Sequence, residues 1–184
     1  KATADLDVSK VAMKTLESGD NELTAHVSVT NKSGHRYPSG VAFRRAFIEF
    51  TVRSDGETLW QSGGTNSVGV IVDGDGDPLE TEFLPNSDSY QPHYEVIDSE
   101  KQVQIYEELN LNAQQEFTTS FVHRVKVVKD NRLLPKGWRE ARFFANQGQV
   151  MEQFMEATDP HGKAYNDRDY KSGNDFKFPG RDTL

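Results

Sequence analysis

Alternation of apolar and polar side chains at a period of two is the feature that most constrains the fold of this chain. From Leu23 to Thr30 every second residue is apolar and the residues between are Thr, His or Ser, which is typical of a half-buried β-strand. Ala46–Arg53 repeats the pattern. Asp55-Gly56 follows it and favours a tight hairpin turn. The sequence therefore predicts antiparallel strand pairing.

Further segments with strand patterns follow at turn-separated spacing. They are Thr58–Gln61, Val68–Val72, Gln102–Tyr106, Phe117–Val127 and Arg142–Ala145. Phe117–Val127 is predicted to be the longest strand, with His123 on its apolar face. About seven such strands are typical of two packed sheets. We predict an all-β fold, an antiparallel β-sandwich that is immunoglobulin-like or related.

One helix is predicted, near the C-terminus. The apolar residues at helical spacing within Gln149–Ala157 are Val150, Met151, Phe154 and Met155. After Asp159 the chain is polar and rich in Gly, Asp, Asn and Lys, so we expect it to be irregular. We therefore divide the chain into a β-sandwich domain at residues 1–158 and an irregular polar tail at 159–184 that packs on it.

Composition excludes several classes of function. The 184 residues can bury one core, and their formal net charge is −8. Phosphate binding needs clustered Lys and Arg, so the acidic balance argues against a nucleic-acid partner. No cysteine is present, which excludes disulfides, thiolate metal sites and cysteine nucleophiles. No apolar run approaches the roughly 20 residues of a membrane-spanning helix. The chain begins with Lys1, and we expect a mature or cut fragment.

Three stretches carry a resemblance to a known family. They are NKSGHRYPSGVAFRRAFIEF at Asn31–Phe50, YQPHYEVIDSEKQVQIYE at Tyr90–Glu107 and KDNRLLPKGW at Lys129–Trp138. In this order they resemble a haem-free β-sandwich domain, the C-terminal domain of bacterial multiheme c-type cytochromes. In that family a similar turn with a histidine, a proline, a glycine and a following arginine lies after the haem-bearing part.

The resemblance implies a haem-bearing partner outside the cytoplasm. Covalent c-type haem needs a C-x-x-C-H motif, and a chain without cysteine cannot supply one. The partner would therefore be a multiheme c-type cytochrome module, either in the same precursor or in a separate chain, in the periplasm or at the cell surface. Family members also continue into one further strand, so we expect the sandwich to lack an edge strand after Leu184.

Two histidines and two arginines within these stretches are candidates for haem contact or docking. His35 and His93 lie in loops near prolines. A neutral imidazole there can ligate the haem iron of a neighbouring module, or it can be a structural hydrogen-bonding hub. Of Arg44 and Arg45, one can lock the end of the sandwich and the other can face a partner or a haem propionate. The carboxylates expected for the locking pair are Asp130 and Glu107.

A glycine-rich acidic loop is the candidate metal site. Asp73, Asp75 and Asp77 alternate with glycines, which can bring three carboxylates to one side of a tight turn. Calcium takes oxygen ligands of this kind. Glu80 or Glu82 would have to complete the cage, because the pattern is not that of an EF-hand. The alternative is a solvated hairpin tip without a metal.

The sequence contains no nucleophile motif, P-loop or dinucleotide-binding fingerprint, and we expect no enzymatic activity. Our main hypothesis is a non-catalytic module associated with a multiheme cytochrome electron-transfer system, with a role in docking, assembly or haem shielding. The alternative is a calcium-dependent surface adhesion or carbohydrate-binding module, which depends on the Asp73–Asp77 loop and on exposed aromatic residues.

Overall fold

The computed structural model describes residues 2–41, 43–83, 90–135 and 181–183, and within these ranges the fold is all-β, as predicted. The strands are β1 Ala4–Thr15, β2 Asn21–Asn31, β3 Ala46–Phe47, β4 Phe50–Ser54, β5 Glu57–Ser62, β6 Gly64–Thr65, β7 Ile71–Val72, β8 Ile105–Tyr106, β9 Glu108–Leu111, β10 Phe117–Thr118, β11 Lys126–Asp130 and β12 Arg181–Thr183. A 3-10 turn at Glu80–Glu82 is the one helical element among these residues. The predicted helix at Gln149–Ala157 and the predicted strand at Arg142–Ala145 lie outside them.

The strands pair antiparallel in small sheets. Two sheets have three strands each, in the orders β1-β2-β12 and β10-β9-β11. Three ribbons have two strands each, β3-β8, β4-β5 and β6-β7. A sandwich arrangement of these sheets stays a prediction.

Two clusters of buried apolar side chains form the core. The first consists of Val27, Val29, Ile48, Tyr106 and Leu133, with Tyr37 and Phe50 packed against it. The second consists of Ile71, Leu79, Val103 and Ile105, with Phe47 packed against it. β8 contributes one residue to each cluster, because Tyr106 belongs to the first and Ile105 to the second. The first cluster also packs the C-terminal half of β2 against β8.

The hairpin predicted at Asp55-Gly56 is confirmed. It joins β4 to β5, and its two central residues have φ angles of 51° and 89°. Positive φ at both central positions is what a type I′ turn requires, and glycine adopts it without steric cost.

The prediction of one long strand at Phe117–Val127 is wrong. The segment forms β10, then a turn at residues 121–123, then β11. Side-chain oxygens stabilise the turn, because the Thr118 hydroxyl accepts from the Ser120 N–H at 3.1 Å and the Ser120 hydroxyl accepts from the His123 N–H at 3.4 Å. His123 is consequently exposed and does not belong to the core.

Two other predicted strands are shorter than expected. The Ala46–Arg53 segment is interrupted between β3 and β4, where Ile48 enters the core. In the Val68–Val72 segment only the last two residues form a strand. The Asn66 side chain accepts from the backbone N–H groups of Val68 and Val70, both at 3.1 Å, and this holds the preceding residues in a turn.

The longest strand is β1, which pairs with β2 along its whole length. The register shifts between Ser9 and Ala12, where Lys10 has a φ of 49°. β12 pairs with β2 from the other side, at Ser28–Thr30. The expectation of an irregular tail is therefore wrong for Arg181–Thr183, because the open edge of β2 offers backbone partners to an extended segment.

Candidate functional site

Asn31, at the end of β2, holds the loop of His35 against the segment that follows β11. Its fully buried Nδ2 donates to the carbonyl of His35 at 2.7 Å. The same group donates to the carbonyls of Leu133 at 3.2 Å and Leu134 at 3.0 Å. Its Oδ1 accepts from the N–H and the hydroxyl of Ser33, at 2.9 and 2.7 Å. Two of the three family-like stretches are thus joined through one amide.

His93 lies in the interior, where its side chain is 1% exposed. Its Nδ1 is 2.5 Å from Gln104 Nε2 and 3.2 Å from Asn131 Nδ2. Asn131 also donates to the Ile105 carbonyl at 2.8 Å and accepts from the Glu107 N–H at 2.9 Å. This arrangement fits the hydrogen-bonding hub and gives the imidazole no exposed face for a haem of another module.

His35, in contrast, is exposed. Its Nδ1 lies 2.9 Å from the Arg36 carbonyl and 3.2 Å from the Ser33 hydroxyl, which orients the ring within its own loop. Its Nε2 makes no hydrogen bond with any residue in the described part of the chain. Of the two candidate histidines, His35 is therefore the one whose ring can contact a partner.

Arg45 is locked in an ion pair with Glu82. Its Nη1 and Nη2 donate to the two carboxylate oxygens, both at 2.6 Å, and the Glu82 side chain is 4% exposed. The hydrogen bond to Glu82 raises the pKa of Arg45 above its usual value, against the opposing effect of burial. The predicted pairing with Asp130 or Glu107 is wrong, because other cations neutralise both; Lys129 lies 2.8 Å from Glu107.

Arg44 remains accessible. Its Nη1 donates to the Ser39 carbonyl at 3.1 Å and packs against the turn at Gly40, where a Cβ would lie 3.0 Å from it. The side chain makes no ion pair with a carboxylate of the described residues. Arg44 and His35 are thus exposed, and Arg45 is exposed too but has its guanidinium held by Glu82.

A buried ion network lies beneath these loops. Asp130 accepts from Arg36 and from Arg132, and Arg132 also pairs with Glu108 at 2.6 Å. Glu108 in turn accepts from Arg124 at 2.5 Å. Among the described ion pairs, three guanidinium groups share the two largely buried carboxylates of Asp130 and Glu108. Networks of this kind fix geometry more surely than they add stability.

The acidic loop does not form a metal cage in the described structure. Asp73 Oδ1 accepts from the backbone N–H groups of Asp75 at 3.2 Å and Asp77 at 3.1 Å, and its other oxygen lies 3.8 Å from Lys101. Residues 2–41, 43–83, 90–135 and 181–183 contain no group of three or more His, Asp or Glu placed to hold a metal ion, so Glu80 does not complete one. Calcium binding stays a prediction, and the geometry fits the turn without a metal.

The β1–β2 hairpin presents a row of exposed apolar side chains that sequence reasoning missed. Leu6 and Val8 lie opposite Val29 and Val27 in the register, and Met13 lies opposite Leu23, so all of them share one face. Leu6, Val8, Met13 and Leu23, here called the hairpin face, are exposed to 60%, 47%, 70% and 39%. Leu6 and Met13 are the most exposed of the four. The alternation of Asp5-Leu6-Asp7-Val8-Ser9 was the available signal.

No helix within the described ranges has the length and apolar character needed to cross a membrane. Comparison of the chain with protein-family models, with curated proteins and with solved structures finds no match.

Proposed function

We propose that the chain is a non-catalytic extracytoplasmic module that docks on a multiheme c-type cytochrome module, in the same precursor or in a separate chain. The observation that carries the docking role is the hairpin face. Contiguous apolar surface that remains exposed on a folded protein commonly marks an interaction site. The choice of a cytochrome as partner rests on the resemblance of the three stretches, not on the fold.

The buried network explains how such a module would hold its loops rigid. Asn31 and the His93 hub join segments that are distant in sequence, and rigid loops lose little entropy on binding. His35 and Arg44 would supply polar contacts at this end, with the Arg44 guanidinium suited to a haem propionate. A low-dielectric shell of this kind would shield haems during electron transfer.

Purification of the native assembly tests the proposal. A tagged chain would be recovered from its own periplasmic or cell-surface fraction, and covalent haem in the recovered material would be measured by absorbance. We expect haem to co-purify with the natural sequence and, where the partner is a separate chain, to be lost when Leu6 and Met13 are both replaced by serine. Val68→Ser is the matched control, because Val68 is 81% exposed and lies in a separate turn.

Two results would contradict the proposal. Absence of covalent haem from the natural assembly would reject the cytochrome partner. With a partner that is a separate chain, haem retention by the Leu6→Ser/Met13→Ser variant would reject the hairpin face as the docking surface. Solvent protection of Met13 in the purified chain alone would show that the chain covers this face itself. That result would also reject the hairpin face as the docking surface.

Histidine replacement separates docking from haem ligation. His35→Ala should change the haem spectrum of the assembly if the exposed imidazole ligates iron, because axial ligand identity sets spin state and potential. His93→Ala should instead destabilise the isolated chain and leave the spectrum of the remaining assembly unchanged. An unchanged haem spectrum in His35→Ala would reject iron ligation by that residue. Whether His35 contributes to docking would then be decided by the amount of haem that co-purifies with the variant.

A further inference from the structure

The β1 strand forms an open edge of its sheet. In the order β1-β2-β12 it is bonded on one side, and within the described ranges no other strand pairs with it. It is 12 residues long, and all of them except Ala4 and Ser9 are exposed. A long open edge presents a row of unpaired N–H and C=O groups to any extended chain that meets it.

One hydrogen bond fixes which residues in the first half of β1 direct their backbone groups to the open edge. The Lys32 N–H donates to the Thr3 carbonyl at 2.9 Å, one step beyond the first pair of the register. In an antiparallel pair such bonded positions alternate with positions whose N–H and C=O point away from the partner strand. Counting from Thr3, Leu6 and Val8 are positions of the second kind, so their backbone groups face the open edge.

The bulge changes this assignment in the second half of the strand. The Leu16 N–H donates to the Asp20 carbonyl at 2.8 Å, one step beyond the last pair of the register. Counting back from Leu16, Met13 is a position whose N–H and C=O face the open edge. Leu6 and Met13 are an odd number of residues apart, so without the register shift in the middle of β1 they could not both face this edge.

The outward positions are self-complementary. When a second copy of β1 is laid antiparallel with its Met13 opposite Leu6, its Leu6 lies opposite Met13 of the first copy. The two-fold axis then passes between Ser9 and Lys10, in the irregular part of the strand. The backbone groups of both pairs face each other, as bonded antiparallel pairs require. A bulge and a lysine usually protect an edge from pairing, but in this register the irregular part of one copy meets that of the other.

The charges along β1 favour the same arrangement. The first half of the strand carries Asp5 and Asp7, and the second half carries Lys10 and Lys14. An antiparallel copy places the acidic half against the basic half, with Asp5 directly opposite Lys14. Opposite charges at such positions stabilise a strand pair, whereas like charges destabilise it. Asp5 lies 2.8 Å from Lys32 of its own chain, but 57% of its side chain stays exposed and can meet a second cation.

From these observations we infer that two copies of this chain associate through the open edges of β1, with Leu6 of each copy opposite Met13 of the other. Directly opposed residues share a face, so the two hairpin faces become one continuous apolar surface. A two-fold pairing of this kind closes on itself and leaves neither β1 edge open. The inference goes beyond the proposed function, because the contact is made by backbone groups of the β1 edge and requires no cytochrome.

Cysteine cross-linking tests the register, since the natural chain contains no cysteine. In the inferred pair Asp7 lies opposite Ala12 of the second copy at a non-bonded position, where Cα atoms are about 4.5 Å apart and a disulfide can form. We expect a mixture of Asp7→Cys and Ala12→Cys chains to give, on mild oxidation, a linked dimer with one chain of each kind, identified by its mass. Asp7→Cys mixed with Val68→Cys is the matched control and should link far more slowly, because Val68 is exposed in a separate turn.

Charge variants test the same contact without a covalent bond. Lys14→Glu places a carboxylate opposite Asp5 in both copies, and it should raise the dissociation constant of the dimer by about tenfold in sedimentation equilibrium. Asp5→Lys added to this variant reverses both charges and should recover most of the affinity. Both residues are exposed, so the chain should stay folded, which circular dichroism would verify.

Three results would each overturn the inference. They are a natural chain that sediments as a monomer at every concentration, a control mixture that links as fast as the test mixture, and a charge reversal that recovers no affinity. All three are measured on the isolated chain, so none of them bears on the cytochrome proposal. Absence of haem from the native assembly would in turn leave the pairing of β1 edges unaffected.

Discussion

The two halves of β2 have opposite surroundings. In the half that ends at Asn31, residues Val27, Ser28 and Val29 are buried, so both faces of the strand are covered. In the half that begins at Asn21, the apolar Leu23 is 39% exposed and its opposite partner Met13 is 70% exposed. One strand with one unbroken alternation thus serves the core at one end and an uncovered face at the other.

The difference shows what alternation reports. A period of two indicates that one face of a strand is shielded from water, but it does not indicate what covers that face. At the buried end the cover is the chain's own β8 and Leu133. The hairpin face runs along β1 from Leu6 to Met13 and includes Leu23 of β2, and its side chains stay partly or largely exposed, which supports a docking role.

The largest expected effect is on the free energy of unfolding, where a buried leucine and an exposed leucine should differ. Leu133→Ala should lower the free energy of unfolding by about 2–5 kcal/mol, because Leu133 is fully buried and its removal leaves a cavity. Leu6→Ala should change it by less than about 0.5 kcal/mol, as an exposed substitution does. Urea titration of both variants measures the contrast. A loss above about 1.5 kcal/mol for Leu6→Ala would mean that the chain packs its own residues on the hairpin face.

The next contrast uses the two asparagines that begin and end β2. Asn31→Ala should cost about 1–3 kcal/mol, because it leaves the carbonyls of His35, Leu133 and Leu134 without their buried donor. Asn21→Ala should cost about 0.5 kcal/mol or less, since its bond to the Thr15 hydroxyl is exposed. Equal losses in urea titrations would contradict the contrast between the two ends.

A smaller effect distinguishes a structural turn from a calcium site. Asp73→Ala should lower stability by about 1 kcal/mol both with chelator and with calcium, because Asp73 accepts two backbone hydrogen bonds. Asp75→Ala, which removes an exposed carboxylate, should have almost no effect in either solution. Thermal melts that rise with calcium in the natural chain, and lose that rise in Asp75→Ala, would instead support the calcium hypothesis.

Local turn chemistry made part of the fold predictable. The Asp55-Gly56 hairpin and the buried Val27 and Val29 follow from sequence, because their signals lie within a few residues. The sequence analysis missed β1 because the bulge at Lys10 shifts the alternation of apolar residues by one position. Leu6 and Met13 therefore lie on one face of the strand although they are an odd number of residues apart. The break after β10 arises from hydroxyl groups that compete with strand pairing, which hydrophobic periodicity does not report.

The site was less predictable because its contacts are distant in sequence. The Asn31 amide bonds to a carbonyl 102 residues away, and the His93 ring meets Asn131 across 38 residues. No short segment of the sequence contains both members of either pair, so local patterns do not report these contacts. The sequence alone left two interpretations of His93, an iron ligand or a hydrogen-bonding hub, and only the tertiary contacts show that its ring is buried.

The smallest expected effect is a pH dependence at Tyr94, a half-buried residue. Burial raises the pKa of the Tyr94 phenol above its usual value, and its hydroxyl donates to Gln91 Oε1 at 2.7 Å. The folded state therefore keeps this proton at a pH where the unfolded chain has lost it. The resulting stabilisation is present below about pH 10 and is lost as the pH rises through the folded-state pKa. Tyr94→Phe cannot ionise, so the natural chain should lose stability relative to this variant over the alkaline range that begins near the usual tyrosine pKa of about 10. Urea midpoints measured across that range give the comparison, and parallel profiles would mean that Tyr94 is as well solvated as the residues of the hairpin face.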